Sequence, residues 1–144
     1  VDVKGVYLVE TGQGPTPVVL LEDDLHRIMP IYIGLPEAIS IHSALNKEVP
    51  PRPMTHDLFI SLVEQLGSRI TSILIDELSD GIYYARLTVT RNGSSFELDA
   101  RPSDCLALAL RANAPISVRE AVIREAAVSE EEIRDAVSLD NYLR

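Results

Sequence analysis

Hydrophobic periodicity changes character at Gly34, and that change constrains the fold of this chain more than any other feature. Before it, "VDVKGVYLVE" and "TPVVLLED" are rich in β-branched residues and flank the Gly- and Pro-containing stretch "TGQGP", a pattern that predicts a β-hairpin. A third extended run, "RIMPIYIG", contains Pro30, which cannot donate to a sheet ladder and so argues for an edge strand or a bulge. After Gly34, "LPEAISIHSALNKE" sets Pro36 and Glu37 in a first helical turn and repeats Ala38, Ile41 and Leu45 at helical spacing. The first third therefore reads as a small antiparallel meander that runs into a helix.

The same sequence of events recurs downstream. The prolines of "VPPRP" end the first helix, because each removes a donor and pushes the residue before it toward extended geometry. A second helix is expected from Thr55 as N-cap, with His56 and Asp57 in the first turn, a buried stripe of Leu58, Leu62, Val63 and Leu66, and Gly67 as its end. Three strands follow in "SRITSILIDEL", "GIYYARLTVTR" and "SSFELDA", joined by "SDG" and "NGS", both suited to hairpin turns. The chain then returns to helix at "RPSDCLALALRAN", with Ser103 as candidate N-cap, and is apolar almost all round from Cys105 to Leu110, as a core helix would be. The remainder predicts two short helices, the second announced by the capping-box pattern Ser129 to Glu132. With no linker or low-complexity tract, the chain reads as one α+β domain over residues 1–144.

Two polar stretches, "PPRPMTHDL" and "ARPSDCLALAL", carry the chemistry. In each, an arginine held extended by the following proline precedes a hydroxyl residue and then an aspartate at a helix start. Capping explains both: Thr55 and Ser103 satisfy orphan N–H groups, Asp57 and Asp104 answer the helix dipoles, and Arg52 and Arg101 pair with them. The functional reading brings two helix starts, two guanidinium forks and His56 around one phosphate or other anion. An imidazole beside a carboxylate can also serve as a general base or a metal ligand. Glu37, another first-turn carboxylate, could join Asp57 and Asp104 on Mg2+ or Mn2+, which prefer oxygen ligands. His42 and His26 have no comparable company in the sequence. Structural-zinc patterns, a phosphate-loop glycine motif, a dinucleotide fingerprint and a nucleophile elbow are all missing.

The net charge of −9 argues against a broad basic groove for nucleic acid, although the dense acidic group "SEEEIRDAVSLD" near the C-terminus leaves room for a locally positive patch elsewhere. The single Cys105 cannot form an internal disulfide. With no signal-peptide pattern and no bilayer-length apolar run, the expectation is a soluble, cytoplasmic protein with no membrane association.

Taken together, "MPIYIGLPEAISI", "PPRPMTHDL" and "ARPSDCLALALR", in this order and spacing, resemble the bifunctional nuclease domain family, which has prokaryotic and plant members and is named for activity on both DNA and RNA. The resemblance spans roughly residues 3–126 and leaves a helical C-terminal extension over 127–144. Glu37 matches the family's G-x-x-E-A glutamate; Arg52, Thr55, His56 and Asp57 match its R-P-x-T-H-D; and Arg101, Ser103 and Asp104 match its R-P-S-D, with Cys105 where relatives commonly have alanine. It implies a nuclease, a compact α+β fold and a homo-oligomer. The expected mechanism is metal-assisted phosphodiester hydrolysis: Glu37, Asp57 or Asp104 holds Mg2+ or Mn2+, Arg52 and Arg101 neutralise the phosphate, and His56 orients or deprotonates water. The competing expectation is a non-catalytic oligomeric module that binds a small anionic ligand or a partner through the same clusters.

Overall fold

The computed structural model describes residues 1–143 of the 144-residue chain. Its first sheet contains β1 (Asp2–Thr11), β2 (Gly14–Glu22) and β3 (Ile28–Tyr32), an antiparallel meander closed on its far side by the two-residue β8 (Val137–Ser138), in the order β3-β2-β1-β8. Pro30 lies on β3 opposite Leu20, and β3 is the sheet edge that its missing N–H requires. The second sheet contains β4 (Arg69–Ser79), β5 (Ile82–Arg91), β6 (Ser94–Ala100) and β7 (Ile116–Val118), in the order β6-β5-β4-β7, with only β7 parallel to its neighbour. Both predicted hairpin turns form. Asp80 and Gly81, then Asn92 and Gly93, all take positive φ, the geometry that two-residue turns between twisted strands demand.

The helices sit on these sheets. α1 (Leu35–Leu45) follows β3, α2 (Thr55–Gln65) follows the proline stretch, and α3 (Pro102–Ala112) follows β6. α3 packs against α1, α2, β4 and β5, and its residues Cys105 to Ala109 are all buried. One apolar cluster joins both sheets through it, including Val19, Leu21, Ile41, Ile73, Leu87 and Leu106. The opposite face of the first sheet is closed by a smaller cluster of Val18, Leu20 and Ile28 with Val128 and Ile133 packed on it. β2 is therefore buried on both faces, which explains its unbroken Val18–Leu21 run.

Three local expectations need correction. Thr55 is the first helical residue rather than the N-cap of α2, which is Met54; Ser103 lies inside α3, whose N-cap is Arg101. Pro102 at the first helical position makes its predecessor the cap and moves Ser103 inward. The stripe expected to be buried on α2 is largely outside: Leu58, Leu62 and Leu66 are 63%, 56% and 55% exposed, whereas Phe59, Ile60 and Val63 pack on the core. Adjacent residues on a helix point about 100° apart, so the two stripes are neighbours, and tertiary packing chose the second. Beyond α3 the chain forms β7, α4 (Glu120–Ala126), a 3-10 turn at Glu130–Ile133, β8 and α5 (Leu139–Leu143). The capping-box serine thus starts a 3-10 turn rather than an α-helix, and its hydroxyl lies 3.4 Å from Glu132 Oε1.

Candidate functional site

The starts of α1, α2 and α3 meet at one place. Glu37, Asp57 and Asp104 each occupy the third position of their helix, where a carboxylate offsets the positive end of the helix dipole. Three helix starts that carry acid at the same position would repel one another without cations between them, and the arginines supply these. Arg101 spans two of the three: its Nη1 donates to Glu37 Oε1 at 3.1 Å, and its Nε donates to Asp104 Oδ2 at 3.0 Å. Arg111, from the last turn of α3, donates through Nε to Asp57 Oδ1 at 2.8 Å and through Nη1 to the Ala107 carbonyl at 2.9 Å.

His56 links the two polar stretches. Its Nε2 is 2.9 Å from Asp104 Oδ1 and its Nδ1 is 2.6 Å from the Ser40 hydroxyl on α1. The imidazole side chain is only 16% exposed. One ring thus ties α1, α2 and α3 together, with an acceptor on one side and a hydroxyl on the other. Capping contributes less than expected, since no side chain caps α2 or α3; instead Asp57 Oδ2 reaches back to accept the Met54 N–H at 2.9 Å.

Electrostatics follow the same contacts. The hydrogen bond from Arg111 is the largest influence on Asp57 and, with the Met54 N–H, outweighs burial to hold its carboxyl below the ordinary range. At Asp104 burial pushes upward most strongly, but hydrogen bonds from Arg101 and His56 together overcome it, and the group stays ionised at neutral pH. Arg101 is pushed upward, by Asp104 first and Glu37 second. Beside them, burial first and the Asp104 and Asp99 charges second lift the Cys105 thiol to about 12, so that it is an inert core group.

The expected constellation is therefore partly assembled. His56, Arg101, Asp104 and Glu37 converge; Asp57 faces Arg111 next to them; Arg52 is exposed, two residues ahead of the Met54 cap, with no hydrogen bond or ion pair among the described residues. The expected pairing of Arg52 with Asp57 is replaced by Arg111. Ser40 and Arg111 were missed, and a faint signal existed for Ser40 alone: it lies three residues after Glu37 and so on the same helix face. His42, read as solitary, is buried with its Nε2 2.9 Å from Asp140 Oδ1 and 3.0 Å from Asn46 Nδ2, and joins α1 to α5.

The carboxylates expected to hold Mg2+ or Mn2+ do not form an open ligand set as they stand. Arg101 lies between Glu37 and Asp104, Arg111 holds Asp57, and among the described residues no group of three His, Cys, Asp or Glu side chains is arranged to hold a metal ion. On the solvent side of Arg101 opens a pocket of about 470 Å³ lined by Tyr32, Gly34, Glu37, Ile82, Tyr83 and Ser103 among others. The Arg101 side chain is 64% exposed, and two of its five N–H groups are not used within the cluster. Such an arrangement can bind an oxyanion and move a proton beside it. No helix among the described residues is long and apolar enough to cross a membrane.

A family model described as the bifunctional nuclease domain matches residues 18–131. The chain is 39% identical over 137 residues to an uncharacterized protein of Mycobacterium tuberculosis, covering 92% of this chain and 82% of that one. It is 29% identical over 108 residues to Bifunctional nuclease 1 of Oryza sativa subsp. japonica, and 23% identical over 120 residues to Bifunctional nuclease 1 of Arabidopsis thaliana. These matches cover 73% and 81% of this chain but only 33% and 37% of the plant proteins.

Proposed function

We propose that this chain, which belongs to the bifunctional nuclease domain family, hydrolyses phosphodiester bonds of DNA and RNA where α1, α2 and α3 meet. The carrying observation is the His56 imidazole held between Asp104 and Ser40 beside the exposed Arg101 guanidinium. The free N–H groups of Arg101 bind the phosphate and neutralise charge that grows on its oxygens as the bond breaks. His56 moves the proton, and Asp104 orients its ring and stabilises the imidazolium that forms. A phosphate on Arg101 leaves the attached nucleoside beside Tyr32, Ile82 and Tyr83, an apolar and aromatic lining suited to a base without demanding a particular one. Within an acidic chain the phosphate would meet Arg101 at its exposed edge, where two N–H groups are left over from Glu37 and Asp104.

Glu37 and Asp104 would take up Mg2+ or Mn2+ only by releasing Arg101, so no step of this reading runs through a metal. A second reading, a module that binds a small anion without turning it over, draws on the ion pairs that already close each carboxylate. Assembly is a proposal of the same standing. Leu58, Leu62 and Leu66, spaced four residues apart on the outer face of α2, offer an apolar strip that a second copy would cover.

The deciding experiment is cleavage of labelled single-stranded DNA, duplex DNA and RNA by the purified chain, with and without EDTA, beside His56→Ala. The proposal expects cleavage by the wild type and a loss of about a thousandfold in the variant. Equal cleavage by both would end it, and anion binding without cleavage by either would favour the second reading. Loss of wild-type cleavage in EDTA, restored by Mn2+, would show that Arg101 gives way to an ion.

A further inference from the structure

While the Ser40 hydroxyl occupies Nδ1, His56 has no free lone pair to offer a water molecule. Asp104 is ionised and its oxygen can only accept, so the ring proton resides on Nε2, 2.9 Å from Asp104 Oδ1. Nδ1 is then the acceptor, and what lies 2.6 Å from it is the Ser40 hydroxyl. That hydroxyl donates to the imidazole, and any proton that the neutral ring takes comes from Ser40. We infer that Ser40 is the nucleophile of this site and forms a covalent phosphoseryl intermediate; the inference deepens the phosphodiesterase reading and rests on it for the identity of the substrate.

Three further observations support the assignment. A serine inside a helix commonly returns its hydroxyl to the carbonyl of the preceding turn. Ser40, in the middle of α1, has His56 as the sole hydrogen-bond partner of its Oγ among the described residues. Ser40 is also half-buried rather than sealed in the core. Finally, Glu37 precedes it by one turn on the same helix face and holds Arg101 Nη1 at 3.1 Å, so the guanidinium is anchored to the helix face that carries Ser40.

The chemistry balances with water as the only co-reactant. Oγ attacks phosphorus, the Oγ–P bond forms and the P–O bond to one sugar oxygen breaks. The Oγ proton passes to His56 Nδ1, making an imidazolium held by Asp104, and then to the departing sugar oxygen. In the second half a water attacks phosphorus and gives its proton to Nδ1, the Oγ–P bond breaks, and Oγ takes that proton back. Arg101 neutralises the phosphoryl oxygens in both halves.

The test uses the whole chain and an electrophile that needs no nuclease activity, a fluorophosphonate, which phosphonylates activated serines. Intact mass and peptide mapping should find one adduct, on Ser40, in the wild type and none in Ser40→Ala, with labelling at least about a hundredfold slower in His56→Ala. Thermal unfolding of Ser40→Ala near the wild-type midpoint would establish that the missing adduct is not a folding defect. An unlabelled Ser40 in the wild type overturns the inference. So does inversion at phosphorus when a chiral phosphorothioate diester is cleaved in oxygen-18 water, which keeps the product phosphorus stereogenic, since two successive displacements give retention. A wild type labelled on Ser40 that cleaves no nucleic acid would instead refute the nuclease reading and keep an activated serine acting on another ester.

Discussion

The starts of α2 and α3 share a grammar of arginine, proline and aspartate and use it in opposite ways. At α3 the arginine is itself the N-cap, and Asp104 lies three residues on, so the guanidinium folds back onto its own helix's carboxylate and reaches α1 as well. At α2 two more residues separate Arg52 from Asp57, the cap passes to Met54, and the arginine is left outside while Arg111 takes its place from another helix. One motif is therefore a local ion pair that presents a free edge to solvent, and the other is a tertiary tie. Spacing relative to the cap decides which, because only residues three or four apart share a helix face.

That difference can be broken most forcefully at the arginines. Arg101→Ala is expected to cost about tenfold to a thousandfold in phosphodiester cleavage, as loss of one charge-stabilising donor group does, whereas Arg52→Ala changes it by less than about threefold. Single-turnover rates on one labelled oligonucleotide compare them directly, and equal losses would erase the distinction. Stability reverses the emphasis. Arg111→Ala leaves Asp57 without its cation in a partly buried setting, Arg111 itself being 11% exposed, and is expected to destabilise the fold by about 1–3 kcal/mol in urea unfolding. Arg52→Ala in the same titration should fall within about 0.5 kcal/mol of wild type.

Acid sharpens the comparison further. Asp57 and Asp104 both sit below the ordinary carboxyl value of 3.8, so the folded state binds fewer protons than the unfolded chain as the pH falls past that value. Their stabilisation is fully present above about pH 5 and is lost as the pH falls through the lowered folded values. Thermal midpoints taken from pH 7 to pH 2.5 should therefore be level at first and then drop. Arg111→Ala should shallow that drop, because the principal cause of the Asp57 shift is gone. The smallest gain belongs to the caps. Met54→Ser supplies the side-chain cap that α2 lacks and should stabilise the chain by about 0.5–1 kcal/mol, while α3, whose N-cap arginine already pairs with Asp104 and Glu37, has no such gain available.

Much of the fold was legible because periodicity and turn chemistry agree. The two meanders, the edge position of β3 and the burial of α3 follow from β-branched alternation, Pro30, and the Asp80–Gly81 and Asn92–Gly93 turns. The inward face of α2 was not legible, since Leu58 with Leu62 and Phe59 with Val63 make equally good stripes on one helix, and only the position of α3 and β4 selects between them. Both caps were misplaced for a reason the sequence did contain at α3, where Pro102 at the first helical position points to Arg101. The hydrogen-bonded cluster was legible as residue types around His56. Arg111 and Ser40 escaped notice because a basic residue in a last helical turn and a serine inside a helix both have ordinary local explanations, and only tertiary packing gives them partners.

The most direct test is the protonation of the His56 ring, measured by nitrogen-15 NMR on the folded chain at a pH where the ring is neutral. The account predicts the Nε2–H tautomer with an unprotonated, hydrogen-bonded Nδ1, the state in which Asp104 orients the ring and Ser40 donates to it. A neutral ring protonated on Nδ1 would set a bare nitrogen against the Asp104 carboxylate, remove the acceptor that Ser40 requires, and contradict the account.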